Sequence, residues 1–363
     1  MSRRIVWVDM ARGLAMLTIL WAHTSVYYAD GFASSYTLTV LNALAVFFFV
    51  SGYLFMSPDK EFSVGHKLRS VFRSLVVPYL IFTLAMAFPK AVAHGSDVNL
   101  LSLIMPVLNG EASWFVSSLI VVQAYYCLVL FGRQFLCPKG GAGAFVFETF
   151  GVFLPFMVFV GFFRYCSNIL SVSTIALTFV FTGRLYRMVE WWFGNVLSEG
   201  NVRDSKITEL KHFFVSRCHR WRLPLLLVLA SVLVYIKVWE WKHDVEIIFY
   251  VVKIPSFLLF YVDTLLSCLL VVGVCKVLPH VKVLAWLRWT GSHSWCSISF
   301  VAASHCLCRV FCLRLTVTCY CSFSLSAWCG CSQLLWRGWS IGLRLGLWGD
   351  DNRDNMEQYF NMP

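Results

Sequence analysis

The sequence predicts an all-α fold, a polytopic transmembrane bundle of about nine or ten helices. Three observations carry this expectation. Of 363 residues, 59% are hydrophobic and only 13% are charged, whereas soluble domains carry about 25% charged residues. Mean hydropathy is +0.70. The apolar residues gather into runs of about twenty, the length that crosses a bilayer as a helix.

The runs follow in order. The first covers 5–28 and the second 36–56. A polar loop with Lys60, Lys67 and Arg69 leads to a third at 71–91, where Pro78 should bend or loosen a turn. The fourth covers 113–131, led by Glu111 and Trp114. Arg133, Lys139 and the glycines 140, 141 and 143 separate it from a fifth at 144–162. A sixth covers 167–186. The segment 187–222, with Arg203, Lys206, Lys211, Arg217, Arg220 and Arg222, reads as the longest polar link. A seventh run covers 223–238. The stretch 245–278 is too long for one untilted span. It is either a surface helix leading into a span near 256–277 or one bent helix broken at Pro255.

The net charge of +11 would suggest a nucleic-acid partner in a soluble chain. Here the basic residues fall in alternate loops, after the second, fourth, sixth and eighth spans, and Arg3 and Arg4 precede the first. The positive-inside pattern explains this arrangement, so the partner is the lipid bilayer and not nucleic acid, and the N-terminus is expected in the cytoplasm. Arg3 and Arg4 before 13–22 could resemble a signal peptide. Asp9 and Arg12 interrupt that run, no small-x-small cleavage site follows, and a retained first helix is the better reading.

Two regions are expected: a membrane domain over 1–294 and an atypical tail over 295–363. Six cysteines precede Trp295, and eight lie in the 69 residues from there to the end. The tail mixes Cys, Trp, Arg and Ser without helical periodicity. Its C-x-C pairs, such as Cys306/Cys308 and Cys329/Cys331, are tighter than the C-x₂-C of zinc sites, and no paired histidines accompany them. No metal site is expected. A shifted reading frame from about Trp295 accounts for the composition best, with a disordered or divergent tail as the alternative.

Inside the first run lies a polar stripe. Asp9, Arg12 and His23 interrupt residues that need no such groups to span a membrane, and ionisable groups in a span default to function. Arg12 and His23 are eleven residues apart, about three helical turns, so both point the same way roughly 16 Å apart along the axis. Asp9 is one turn before Arg12 on nearly the same face.

The stripe is one of an ordered set. Val8-Asp9-Met-Ala-Arg12-Gly-Leu-Ala with His23 is followed by Phe47-Phe-Phe-Val-Ser-Gly-Tyr53, then Lys67-Leu-Arg69-Ser-Val-Phe-Arg73, Val77-Pro78-Tyr79 and Ser113-Trp114-Phe115. In that order and spacing the chain resembles the acyltransferase 3 family of integral membrane acyltransferases. Its compact branch, similar to fucose 4-O-acetylases, is the nearest likeness. The sequence departs from that branch at Ala43-Leu44-Ala45, where His-Met-Pro is usual, and after Ser292-His-Ser294, where the usual last helix is not recognisable. The resemblance implies about ten helices, both ends cytoplasmic, in the bacterial cytoplasmic (inner) membrane. It implies transfer of an acyl group, usually acetyl, from acetyl-CoA as donor substrate, with no bound cofactor, to a carbohydrate or lipid-linked surface glycan.

Such a transfer needs a base for the acceptor hydroxyl, a hold on the donor phosphates and stabilisation of the carbonyl oxygen. His23 is the candidate base. A span favours its neutral, proton-accepting form; its rival reading is a histidine satisfied by a neighbouring carbonyl. Arg12, held by Asp9, is the candidate donor anchor, against a snorkelling anchor at the inner surface. Lys67, Arg69 and Arg73 are candidate donor-binding cations, with topology as the plain alternative. Glu111 and Trp114 are candidate acceptor-binding residues, carboxylate to hydroxyls and indole to a sugar ring, against an ordinary interfacial tryptophan. Ser51-Gly52 permits a close approach of another helix or a ligand. Asp263 needs a partner, for which Lys253 and Tyr261 are the candidates. The alternative function is a transporter or glycan exporter with Asp9, Arg12 and His23 as a polar relay, but the two halves show no repeat of the kind such proteins carry.

Overall fold

A computed structural model describes residues 5–28, 36–57, 62–94, 99–110, 113–138, 141–162, 168–198, 205–243, 245, 247, 249 and 252–278; side chains within 23–41 and 194–222 lie outside that description. The tail from 295 onward therefore lies outside the described residues.

Among those residues every regular element is helical: α1 Val6–Tyr28, α2 Tyr36–Tyr53, α3 Val64–Val71, a π turn Phe72–Val76, α4 Val77–His94, α5 Leu100–Leu108, α6 Trp114–Leu136, α7 Gly141–Phe162, α8 Asn168–Ser198, α9 Ser205–Lys242 and α10 Phe257–Val277. Six helical stretches are long and apolar enough to cross a membrane: Val64–Phe88, Trp114–Leu136, Gly141–Phe159, Ile169–Phe193, Leu223–Lys242 and Phe257–Val277. This is the all-α multi-pass bundle expected.

α2 is the central post. It packs against α1, α8 and α10, while α8 also meets α6 and α7; α9 lies on α10, α3 on α6, and α4 pairs with α5. Glycine sets the α2–α8 distance. A Cβ on Gly52 would sit 1.8 Å from the Val180 carbonyl oxygen, and one on Gly183 would sit 1.9 Å from that of Phe49. The two backbones touch, as small residues allow where helices associate inside a membrane. Small polar residues fill the same interior: Ser118, Ser171, Ser173, Thr174, Thr178, Thr264 and Ser267 are all buried. The threonine hydroxyls bond back to their own helix, as Thr174 does to the Ser171 carbonyl at 2.8 Å, whereas those of Ser118, Ser171, Ser173 and Ser267 have no partner among the described residues. Large apolar side chains share the interior, Phe48, Phe49, Phe179 and Phe260 among them, and also cover the outside, as Ile81, Phe88, Phe150, Met157, Leu225 and Tyr235 do.

Four boundaries differ from expectation. The third span begins at Val64, seven residues earlier than 71. The chain stays helical through Lys67 and Arg69 and widens into a π turn just before Pro78. That proline has no N–H for the turn before it, so the ladder must adjust there. α5 was not anticipated; its nine residues are too few for a spanning pattern. α8 continues to Ser198 and α9 begins at Ser205, so most of the segment read as a polar link is helix. Arg, Lys, Glu and Leu are good helix formers; polarity marks the exit from lipid and does not end a helix.

The fourth difference is the approach to α10. Residues 243–256 form neither a surface helix nor the start of a bent one among the described positions. Ile247, Phe249, Val252 and Ile254 are buried, two pairs each spaced as in extended chain, with a turn between them in which the Val252 amide donates to the Phe249 carbonyl at 3.2 Å. The β-branched and aromatic content favours the extended pieces. Val252 has φ +54°, a conformation that costs a β-branched residue about 1–3 kcal/mol and persists only where packing imposes it. The phenyl ring of Phe249 meets Phe48, Trp114 and Phe260 with centroids 5.9–6.2 Å apart. α10 then starts at the expected place, with Ser256 Oγ accepting the Leu259 amide at 3.4 Å.

Candidate active site

α1 presents Asp9 and Arg12 from the same face of its first turns, both partly buried, with Arg12 in the field of the Asp9 carboxylate. α1 needs no cap to be stable here; Val8, Met10, Ala11, Ala15 and Met16 bury the other faces. Lys67, on α3, folds toward the same place. It is close enough to Arg12 for their charges to repel, and its Nζ stands 4.2 Å from the centre of the Phe55 ring. Arg69 and Arg73 do not join them. Both are exposed, because the helix that turns Lys67 inward turns positions two and six later outward.

His23 lies in the backbone of α1, but its side chain lies outside the described residues. Glu111 also lies outside them. Trp114 opens α6 and is half-buried, its indole edge-on to Phe115 and Phe249 at 6.2 and 6.1 Å. Ser51 Oγ accepts from Gln123 Nε2 at 2.9 Å; Ser51-Gly52 serves helix packing at this point.

Three charge clusters escaped the sequence reading. At the end where α1 starts, Glu190 accepts from Tyr53 Oη at 2.8 Å and from Lys276 Nζ at 2.7 Å. Lys276 also reaches Tyr186 Oη at 2.9 Å and lies 5.0 Å from the centre of the Trp7 ring system, and the Arg187 guanidinium stacks over Tyr53 at 4.6 Å. A second cluster joins α6, α7 and α8. The Glu148 carboxylate accepts from Tyr126 Oη and from Arg184 Nε (3.0 Å) on one oxygen and from Arg133 Nη1 (3.1 Å) on the other.

The third cluster lies near the opposite end. Lys237 Nζ bridges Asp263 Oδ2 at 2.7 Å and Glu240 Oε2 at 3.1 Å. The partner of Asp263 is therefore Lys237. Tyr261 instead bonds Thr178 Oγ1 at 2.9 Å. The available signal was general: Glu148, Arg184, Lys237 and Asp263 each sit in an apolar run, where an ionisable group requires a partner. Which partner depends on helix rotation, which periodicity does not report.

A family model for an acyltransferase domain, Acyl_transf_3, matches residues 5–303. The chain belongs to the acyltransferase 3 family. No curated protein and no solved structure matches it. The match covers every helix described, so the Arg12–Lys67 pair and all three charge clusters lie within the acyltransferase domain. Membership makes the chain a membrane acyltransferase, and an acyl donor, an acceptor and a bilayer are the partners its chemistry requires.

Proposed function

We propose that this acyltransferase moves an acetyl group from acetyl-CoA to a hydroxyl of a carbohydrate or lipid-linked surface glycan, with His23 as general base and Arg12 as donor anchor. What supports the donor side is that Lys67, its Nζ 4.2 Å from the centre of the Phe55 ring, lies within electrostatic reach of partly buried Arg12. Two cations brought together in a poorly solvated place repel unless an anion joins them, and a phosphate accepts from both. Asp9 holds Arg12 in position, and exposed Arg69 and Arg73 offer further contacts for an approaching phosphate.

With the N-terminus in the cytoplasm, as the basic loops favour, the donor enters from that side of the inner membrane. The thioester then reaches His23, roughly 16 Å further along α1, a distance of the order of a pantetheine arm. Neutral His23 takes the proton of the acceptor hydroxyl. The hydroxyl oxygen attacks the thioester carbonyl, the C–S bond breaks, and His23 returns the proton to the departing sulfur. Trp114, where α6 opens, and Glu111 are the acceptor-binding candidates.

The test is His23→Ala in the otherwise unchanged chain, scored by acetyl content of surface glycans and by transfer from labelled acetyl-CoA. Loss of about a hundredfold or more is expected for a general base. Unchanged acetylation removes the assignment.

A further inference from the structure

The Glu148 cluster has more cation than it uses. Two guanidinium groups, Arg133 and Arg184, share one carboxylate, and the second oxygen partner on Glu148 Oε1 is the neutral Tyr126. Arg184 is 2% exposed, yet its Nη1 and Nη2 are buried with no hydrogen-bond partner. Such donors cost free energy until something accepts from them, and the cost is greatest for a charged group. Native interiors leave few of these without a reason.

A cavity of about 300 Å³ adjoins the cluster. Arg133, Gln134, Leu130, Cys137, Phe62 and Met56 help to line it. Arg133 is thus both a wall of the cavity and a partner of Glu148. A third cation stands nearby through aromatic contacts: Phe62 stacks on Phe55 at 5.9 Å, Phe55 meets Tyr126 edge-on at 4.8 Å, and Lys67 sits over Phe55. Two cations therefore meet the Glu148 carboxylate, one of them at the cavity wall, and a third, Lys67, stands two aromatic rings away. Leu130, Phe62 and Met56 give the cavity an apolar side, and it opens outward past exposed Gln134.

We propose that this cavity, with Arg133 at its wall and Arg184 behind it, binds a phosphate ester, and that Glu148 occupies the guanidinium groups until the ligand arrives. The ligand is assigned to the phosphorylated end of the acyl-CoA donor, which rests on the functional reading above. Arg12 and Lys67 then hold one side of that end and Arg133 and Arg184 the other. A guanidinium fork fits phosphate oxygens with two parallel bonds. Arg184 has two nitrogens free to supply them, and Arg133 gains a second when Glu148 releases it.

Binding of labelled CoA to the purified full chain in detergent tests this, with dioctanoyl phosphatidylglycerol as the lipid-phosphate probe. Arg184→Gln and Arg133→Gln are each expected to weaken CoA about tenfold or more. Glu148→Gln is expected to tighten it, because glutamine keeps an acceptor for Arg184 and Tyr126 but removes the competing charge. The opposite signs separate the site from mere damage to the fold, which weakens CoA binding in all three variants. Equal CoA affinity in all variants, or weakening in Glu148→Gln as well, overturns the site while leaving His23 chemistry untouched. Changes confined to the lipid probe overturn the donor assignment. A wild-type chain that does not bind CoA removes both this site and the donor reading.

Discussion

The two ends of the bundle treat charge differently. Where α1 starts, cations outnumber their partners: Arg12 and Lys67 oppose each other, Arg184 keeps two free nitrogens, and Arg133 faces a cavity. Toward the other end, Lys237 is closed upon Asp263 and Glu240, whose side chains are buried to within 1% of complete. A cluster with one cation held between two buried carboxylates has its surplus on the acceptor side and, wedged between helices, orders the bundle. One with surplus donors and a neighbouring cavity is suited to receive an anion. The distinction follows from counting donors against acceptors, not from counting charged residues.

Removing a single member should therefore act oppositely at the two ends. The largest effect on stability is expected from Lys237→Met. It leaves Asp263 and Glu240 buried beside each other without a cation, at roughly 3–5 kcal/mol. Thermal unfolding in detergent should show the loss, while the KM for acyl-CoA in the surviving protein stays unchanged. Adding Asp263→Asn and Glu240→Gln to the same chain should restore much of the stability. If Lys237→Met raises that KM without a fall in stability, the contrast between the ends is wrong.

A smaller effect is expected at the crossing that joins the ends. Gly52→Ala drives a methyl group into the Val180 carbonyl. Two backbones must separate, at about 1–3 kcal/mol, and the unfolding midpoint should fall; an unchanged midpoint would mean that α2 and α8 do not touch there. The smallest effect belongs to Lys276→Met. Its pair with Glu190 has side chains 26% and 43% exposed, and such pairs contribute under about 1 kcal/mol. A loss as large as that of Lys237→Met would show that the α1-start end is also held together by its charges.

Much of this was legible beforehand, and the reasons for the rest are specific. α1, α6 and α10 stood out because an apolar run of bilayer length has no other stable form. α8 and α9 were cut short because composition changes at the lipid boundary while helix propensity does not. The approach to α10 was misread because an apolar run with a proline looks alike whether helical or extended. Among the site residues, Arg12 and Lys67 were singled out, and each lies partly buried within electrostatic reach of the other. Arg69 and Arg73, one helical turn apart and on one face as expected, point outward. Asp263 was recognised as needing a partner, but the wrong neighbours were named for it.

By itself, then, the sequence determined a helical membrane bundle, the polar stripe of α1 and membership of an acyltransferase family. These depend on residue type and order along one chain, where solvent preference and short spacing decide. Only the tertiary structure decided that Glu148 lies between Arg133 and Arg184, that Lys237 serves Asp263, and that Gly52 and Gly183 bring α2 and α8 into contact. Those pairings depend on how each helix is rotated about its axis and which helix it meets. A few tens of degrees of rotation move a side chain from a partner to lipid, and no single helix carries that information.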